Sequence, residues 1–386
     1  MYIDKNFLGR NGFIWFNGVV EDRQDPQYLG RLRVRCIGFH TADKTKLPTA
    51  DLPWASVILP TTSAGISGLG SSPSFMVEGT WVMGYFRDGD NCQEPVILGT
   101  LPGRPAELGK SNSGFNDPNF RLDENGEPTT ISVYPREMNE VDTNRLAVNL
   151  KEEKVEILPH ATLTQRRTDR ILGIATADFN STTAADGSII NPSDGDIWNQ
   201  PEIPYNAVYP YNHVVETESG HIKEIDDSFI IDEEGIRTNH YRIHERHTSG
   251  TSYEIGPNGT RTDILKGDHY TLLTKDNKVS IGGNSDITID GRHRIYINKS
   301  NTPNNDYTIQ VGTGANVNIQ VDSGDVNIVT VQGKMNLNSG GDFNVKVGGT
   351  MTFDVEGNMI TNVAGTNTEN TTGAKTIRGS TIDLNP

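Results

Sequence analysis

The sequence predicts an all-β protein with a small barrel near its N terminus and, toward its C terminus, a β-helix in which three chains intertwine. Short stretches of alternating apolar and polar residues, separated by Gly, Pro and Asp turns, run from residue 13 to about residue 105. Glycine recurs every eight residues near the C terminus, with apolar residues at alternate positions between the glycines. Only 34% of the 386 residues are hydrophobic and 40 are glycine, so one large conventional core is not expected.

The composition disfavours several classes of protein. Fifty acidic residues against 34 Lys and Arg give a net charge of −16, which repels nucleic acids and anionic membranes. The two cysteines, Cys36 and Cys92, have no metal-binding spacing and fit assembly in a reducing compartment. The N-terminal residues lack the apolar stretch of a signal peptide, and no segment approaches the roughly 20 apolar residues of a membrane span. We therefore expect a soluble protein that is assembled in the cytoplasm of the cell that makes it.

The N-terminal barrel is predicted from four clear strand patterns, at residues 31–36, 53–60, 79–86 and 96–99. In the first of them apolar and basic residues alternate, with Leu32, Val34 and Cys36 on one face and Arg31, Arg33 and Arg35 on the other. About five strands in a hundred residues fit an OB-fold, whose faces often bind oligonucleotides. The three arginines, called the basic stripe below, lack the interleaved aromatic residues that stack on bases. A solvated or partner-facing surface is therefore favoured over nucleic-acid binding.

Residues 106–205 are predicted to form an extended connector, because they are rich in Asn, Asp, Thr, Pro and Gly and have no sustained period. Their glutamates, including Glu124, Glu127, Glu137 and Glu140, lie in turn-rich sequence without a helix that could bury and tune an acid. Glycoside hydrolysis needs two carboxylates about 5 to 10 Å apart in a cleft. We therefore predict no enzymatic activity and no cofactor.

The C-terminal repeat is defined by six glycines at strict eight-residue intervals: Gly333, Gly341, Gly349, Gly357, Gly365 and Gly373. Apart from Ile360 and Ala364, the apolar residues of this octad run occupy odd positions: Val331, Met335, Leu337, Phe343, Val345, Val347, Met351, Phe353, Val355, Met359 and Val363. The even positions are mostly polar, so one side of each strand is predicted to face a core and the other to face water. Each glycine is expected to mark a corner that needs positive φ or a close backbone approach.

A single chain of such short octads would have a thin core and bare strand edges. Three chains wound about one axis solve both problems, because the strands pair between chains and the odd side chains fill a central column. The pattern therefore predicts a homotrimer. An earlier octad run carries Gly259, Gly267, Gly283 and Gly291, also with apolar residues at odd positions, and an irregular break at residues 300–305 separates the two runs.

Histidine and acidic clusters are the candidates for metal or catalytic sites. His269 and His293 occupy odd positions two residues after a repeat glycine, so a trimer would place three copies of each near its axis as candidate ion ligands. His240, His244 and His247 do not match a zinc-protease motif and are interpreted as packing or surface residues. An acidic run is interpreted as solvated charge at a trimer collar; it comprises Glu216, Glu218, Asp226, Asp227, Glu233 and Glu234.

Several segments of the barrel resemble the OB-fold domain of the baseplate central spike proteins of T-even-like contractile-tailed phages, which are related to the VgrG spikes of type VI secretion. They are Phe16-Asn-Gly-Val-Val-Glu-Asp-Arg23, Asp25-Pro26, Leu29-Gly-Arg-Leu-Arg-Val-Arg35, Gly38 with His40, Leu52-Pro-Trp54 and residues 62–70. In that family the domain sits against a trimeric hub protein. The resemblance therefore implies a hub partner, with Arg31, Arg33 and Arg35 as candidate contacts.

Residues 204–213, 215–227 and 248–255 resemble the start of the β-helix in the same spike family. The T-even spikes carry a lysozyme domain between barrel and needle, whereas the stretch here is too short for one. The resemblance also implies a PAAR-type tip protein that docks on residues 377–384. VgrG chains carry large domains before the OB-fold, while this barrel begins near Phe13.

Together these features predict an OB-fold domain at residues 1–105, a connector at 106–205 and a triple-stranded β-helix needle at 206–386. The expected protein is a virion component of the tail baseplate that punctures the host envelope when the tail contracts, with only transient envelope contact and no nucleic-acid partner. Two alternatives stay open: a spike that hydrolyses peptidoglycan or polysaccharide, and a VgrG-like spike of a type VI secretion system.

Overall fold

A computed structural model describes residues 12–133, 139–148, 189–190, 197–198, 206–287, 289, 291–298 and 305–383. The chain divides into two units, Met1–His293 and Arg294–Pro386. The described residues contain β-strands and two short 3-10 helices, Thr49–Asp51 and Gly89–Asn91, and no α-helix. The all-β prediction is confirmed for this part of the chain.

Five strands form a closed barrel at the N terminus. They are β1 (Ile14–Asp22), β2 (Leu32–Cys36), β3 (Trp54–Val57), β4 (Trp81–Phe86) and β5 (Pro95–Thr100). The strand order around the barrel is β1-β2-β3-β5-β4, and the only parallel pairing among these strands joins β3 to β5. This five-stranded closed barrel agrees with the OB-fold expected from the sequence.

The barrel core forms from the inward residues of every strand. Its buried members are Phe16, Val20, Leu32, Val34, Cys36, Ala55, Val82, Phe86 and Ile97. Gly84, on β4, lets the neighbouring strands β1 and β5 lie close to it, because a Cβ there would clash with the carbonyl oxygen of Val96 and lie 2.6 Å from the Phe16 ring. Burial raises the pKa of the Cys36 thiol to about 12, so Cys36 is an unreactive core residue, as its alternation with arginines suggests.

Parts of the predicted connector form short antiparallel strand pairs. Strands β6 (Phe120–Leu122) and β7 (Pro128–Ser132) pair with each other, as do β8 (Ile189–Ile190) and β9 (Ile197–Trp198). The segment before β6 is tied to the barrel, since Lys44 Nζ donates to the Ser111 carbonyl at 2.9 Å and Gly114 N donates to the Ala42 carbonyl at 2.9 Å. The stretch that follows the barrel therefore lies against it through specific hydrogen bonds.

A second sheet, called the collar sheet below, follows the connector. Its strands are β10 (Asn212–Glu216), β11 (Ile222–Asp226), β14 (Arg242–Arg246), β15 (Ser252–Ile255) and β16 (Arg261–Ile264), all antiparallel and in that order. Strands β12 (Phe229–Ile231) and β13 (Arg237–Asn239) form a separate hairpin. Tight turns close the β10–β11, β14–β15 and β15–β16 connections, where Gly220, Gly250 and Gly259 adopt positive φ values.

Polar contacts connect the collar sheet to other parts of the first unit. The Arg23 guanidinium, at the end of the first barrel strand, donates to both carboxylate oxygens of Glu218 at 2.6 and 2.7 Å, and its Nε lies 3.2 Å from Glu78. Asn212 donates to the Leu146 carbonyl at 3.3 Å, which joins β10 to the connector segment 139–148. The barrel, the described connector residues and the collar therefore share hydrogen bonds and ion pairs.

Candidate functional site: an exposed apolar stripe

Neither octad run joins a sheet within one chain. From residue 265 to residue 383 the described residues belong to no strand or helix, and all of their side chains are exposed except Asn298, which is half-buried. The predicted core residues from Val331 to Val363 are between 46% and 90% exposed. An apolar surface of this length is far from what a soluble monomer normally presents to water.

The corners of the run follow the predicted period. The backbone bends at residues 332–333, 340–341, 348–349, 356–357, 364–365 and 372–373, which coincide with the repeat glycines. Two reasons were expected for those glycines, positive φ or close backbone approach, and the structure separates them. Among the six only Gly333 has a positive φ, so a left-handed backbone does not explain the other five. Within one chain a Cβ at Gly341, Gly349, Gly357, Gly365 or Gly373 would meet nothing within 4 Å.

The candidate axial histidines lie in the earlier run. His269 and His293 are exposed, and the described residues contain no group of three or more His, Cys, Asp or Glu side chains positioned to hold a metal ion. Their role as ion ligands would need the copies of two other chains, so it stays a prediction. The earlier run also bends at regular intervals, at residues 266–267, 274–275 and 282–283.

The basic stripe is not a free basic surface. Arg35 is completely buried, and its Nε donates to Glu21 at 2.6 Å while its terminal nitrogens donate to the Thr41 and Leu47 carbonyls at 2.6 and 2.8 Å. The prediction that Arg35 faces solvent or a hub is therefore wrong, because this side chain fills a polar site at the end of the barrel. Thr49 Oγ1 completes the site by donating to Glu21 at 2.7 Å.

The other two arginines also make contacts within the chain. Arg31 forms an ion pair with Asp25 at 2.7 Å, and Arg33 donates to the Thr49 carbonyl at 3.0 Å and stacks over Trp54 at 4.6 Å. The Arg31 guanidinium and three backbone N–H groups, of Gln27, Leu29 and Arg31, hold the pKa of the Asp25 carboxyl well below its usual range. Both arginines keep some exposure, so their contact with a hub stays a prediction.

The acidic run of the collar is only partly solvated. Asp226 is buried, together with Glu224 and Glu254, and Arg242 lies 3.4, 3.5 and 3.0 Å from the carboxylates of Glu224, Asp226 and Glu254. His244 is also buried, with its Nδ1 3.2 Å from Glu224. The expectation of solvated charge is therefore wrong for Asp226, because the inner face of the collar sheet encloses a cationic partner.

These buried carboxylates share one cation. Each of the three faces Arg242, and none of them lines the open pocket bordered by Thr217, His221 and Lys223. A hydrolase needs its two carboxylates in an accessible cleft.

The described residues also contain no helix with both the length and the apolar character that crossing a bilayer requires.

Comparisons with known proteins bear on the class of protein that this architecture defines. The family profile described as the Gp5 N-terminal OB domain matches residues 38–189. Protein Gp5 of Vibrio phage KVP40 is 36% identical over 319 residues, which cover 77% of this chain and 68% of that relative. The pre-baseplate central spike protein Gp5 of Enterobacteria phage T4 is 42% identical over 141 residues, which cover 35% of this chain and 22% of the T4 protein.

An OB barrel that precedes a long repeat with an exposed apolar stripe is typical of a spike-type structural protein. The comparisons are consistent with that class and identify one family within it. The chain belongs to the Gp5 family of phage baseplate central spike proteins. It is a structural component of the tail baseplate of the virion.

Proposed function

We propose that three copies of this chain form a needle that punctures the host envelope when the phage tail contracts. The observation that carries the proposal is the octad run, whose alternate apolar residues stay exposed along residues 331–363 of a single chain. Burying a residue such as Phe343, Met351 or Phe353 stabilises an assembly by roughly 1.5–3 kcal/mol for each side chain. Three intertwined chains would bury all of them in one central column.

The proposed trimer also explains the repeat glycines. Five of the six have no positive φ and have open surroundings in one chain, so their regular spacing needs another cause. The cause that we propose is the close approach of neighbouring chains at each corner, because only glycine leaves room for a second backbone there. The domain division that follows is an OB-fold at residues 1–105, a connector at 106–205 and a needle at 206–386.

The proposed partners follow from the same arrangement. The OB barrel attaches the spike to a trimeric hub protein, with Arg31 and Arg33 as the candidate contacts that keep some exposure. A PAAR-type tip protein caps the needle on residues 377–384. The name of the T4 relative, a pre-baseplate central spike protein, supports a place at the centre of the baseplate.

The proposed function is mechanical and not enzymatic. In the described residues the buried carboxylates of the collar are paired with Arg242, and the glutamates Glu124 and Glu127 lie exposed in a hairpin turn. A zymogram on peptidoglycan with the purified full-length protein is therefore expected to show no clearing. A clearing band would favour the alternative of an envelope-degrading spike.

Electron microscopy of the purified protein tests the needle itself. We expect a head that continues into a narrow rod about as wide as three packed strands. A globular particle with no rod would contradict both the needle and the alternative of a VgrG-like secretion spike, since both share this element.

A further inference from the structure

The octad run changes in composition at its end, although its period does not. The odd positions that are predicted to face the core lie two, four and six residues after each repeat glycine. In the octads that begin at Gly341 and Gly349 all three of these positions are apolar. In the octad that begins at Gly365 all three are polar: Asn367, Glu369 and Thr371. The end of the run therefore departs from the apolar column that the earlier octads predict.

The polar octad keeps the parity of the apolar octads. The backbone bends at residues 364–365 and 372–373, at the same spacing as the bends before them. Because the period of eight residues is even, a run that keeps it also keeps its odd residues on one side of the chain. Glu369 and the next charged odd residue, Lys375, therefore lie on the side that carries Phe353 and Val355.

The two charges also meet within one chain. The Lys375 ammonium forms an ion pair with the Glu369 carboxylate, although the bend at residues 372–373 lies between them. Contact across a bend requires both side chains to lie on the same side of the chain, which agrees with their parity. The pair is neutral, so three copies of it would bring no net charge to the proposed axis, where unpaired charge is costly.

The apolar octads do not by themselves determine which octads of three chains lie level. A shift of one chain by eight residues would put Phe343 level with Met351, and Val345 level with Phe353. All four residues are apolar, so the shifted chains would still fill a continuous apolar column. A pattern that repeats in this way specifies its register weakly. In coiled coils a buried polar or ionic layer specifies the register instead.

We propose that Glu369 and Lys375 form a charged layer inside the needle, in which three ion pairs fix the register of the three chains. The inference rests on the proposed trimer and adds the residues that align its chains. In the aligned trimer the three pairs lie at one level, and each charge has opposite charges of the other chains beside it. A chain shifted by eight residues would bury its own pair beside Thr361 or Ile377 of its neighbours, without those contacts.

Charge reversal in the full-length protein tests the layer. Glu369→Lys would fill the layer with ammonium groups, and the matched control Glu356→Lys makes the same change at an exposed even position. Glu369→Lys is expected to lower the melting temperature by more than about 10 °C or to abolish the trimer, because like charges would be buried without partners. The control should change neither the melting temperature nor the native mass. Glu369→Lys combined with Lys375→Glu restores the pairs and should recover most of the loss.

An apolar layer separates register from stability. Glu369→Leu combined with Lys375→Leu should give a trimer that melts at the same temperature or higher, because apolar replacement of buried ion pairs is often neutral or stabilising. Thr361→Cys reports the register, because three aligned copies at an odd position would lie together at the axis and form an inter-chain disulfide on oxidation. We expect this cross-link to form at least about twofold more completely with the charged layer than with the apolar one. Peptide mass spectrometry distinguishes it from links through Cys36 or Cys92.

The possible results separate this inference from the proposed trimer. If the native mass of the unaltered protein is that of a monomer, the proposed trimer fails and the inference fails with it. If the unaltered protein is a trimer and Glu369→Lys behaves like Glu356→Lys, position 369 faces water and only the present inference fails. A double reversal that recovers nothing would show that the two residues do not pair in the assembly. Equal cross-linking at position 361 with both layers would show that the layer does not set the register, and either result would overturn the inference.

Discussion

At the scale of single residues, the buried pair of Arg35 and Glu21 dominates the polar end of the barrel. Both side chains are completely buried, and Arg35 also donates to two backbone carbonyls of the loop that follows β2. Gly114 lies against this arginine, since a Cβ there would come within 2.6 Å of Arg35 Cδ. One side chain therefore holds together β1, the loop after β2 and the start of the connector.

Replacing Arg35 with methionine is expected to destabilise the barrel by about 3–5 kcal/mol, because Glu21 would stay buried without its cation. Chemical denaturation of the full-length variant, followed by tryptophan fluorescence, measures the change. The matched control is Arg87→Met, which breaks the exposed pair of Arg87 with Glu94 and is expected to cost about 0–1 kcal/mol. Equal effects of the two substitutions would show that the buried pair contributes no more to the free energy of unfolding than an exposed ion pair does.

The Asp25 carboxylate makes the barrel sensitive to acid. Its pKa is lowered in the folded protein, so it contributes stability that is present above the ordinary value near 4 and is lost as the pH falls toward the depressed folded value. Asp25→Asn is expected to lower the free energy of unfolding at pH 7 by about 2 kcal/mol, since hydrogen bonds to charged groups are worth roughly that much.

Denaturation curves of Asp25→Asn and of the unaltered protein between pH 7 and pH 3 check this prediction. The difference between the two should shrink as the pH falls below about 4, where the unfolded carboxyl binds its proton. A difference that stays constant over this range would mean that the charge of Asp25 is not what stabilises the turn before β2.

At the scale of elements, the octad run is where sequence and structure agree most closely. The eight-residue period in the sequence reappears as bends at the same residues, because a short repeat with a fixed corner is a local property. The collar sheet was harder to predict. Its even positions include Glu224, Asp226 and Glu254, whose burial depends on Arg242 from another strand, and such a cationic partner cannot be read from local sequence.

The parity of the octad run predicts opposite effects for neighbouring substitutions. Val345→Asp would place three carboxylates at the proposed axis, and we expect it to abolish the trimer or lower its melting temperature by more than 10 °C, since burying unpaired like charges is costly. Asn344→Asp, one residue earlier, would add the same charge on the polar side and should leave assembly unchanged. Native mass spectrometry and thermal melts compare the two.

The outcome that would contradict the account is equal behaviour of the Val345 and Asn344 variants. Both residues are exposed and lie in the same segment between two bends of the single chain. A difference in assembly between the two variants can therefore come only from the side of the chain that carries the new charge. Only the odd-numbered side is proposed to meet the other chains. If both assemble normally, the odd positions do not line a core.

At the scale of the whole molecule, the barrel and the repeat could be predicted from sequence because each shows a local pattern of alternating apolar and polar residues. The basic stripe shows the limit of that approach. Alternation in residues 31–36 correctly placed Leu32, Val34 and Cys36 in the core, but it also placed Arg35 in solvent, where the structure buries it. The partner, Glu21, lies 14 residues earlier on a different strand, and only the barrel brings the two together.

The connector illustrates a different limit. Its composition suggested no regular structure, and yet β6 and β7 pair in a hairpin, and residues 144 and 146 hydrogen-bond to the collar through Glu216 and Asn212. Short hairpins of this kind carry too few alternating positions for a period to be recognised. Their position depends on the barrel and the collar, which no local pattern encodes.

The central claim is that three chains share one core, and the native mass of the full-length protein tests it most directly. Native mass spectrometry at micromolar concentration is predicted to show a species at three times the 42.4 kDa of the chain, which persists on dilution because its strands are intertwined. A species at 42.4 kDa alone, with a folded barrel, would contradict the account.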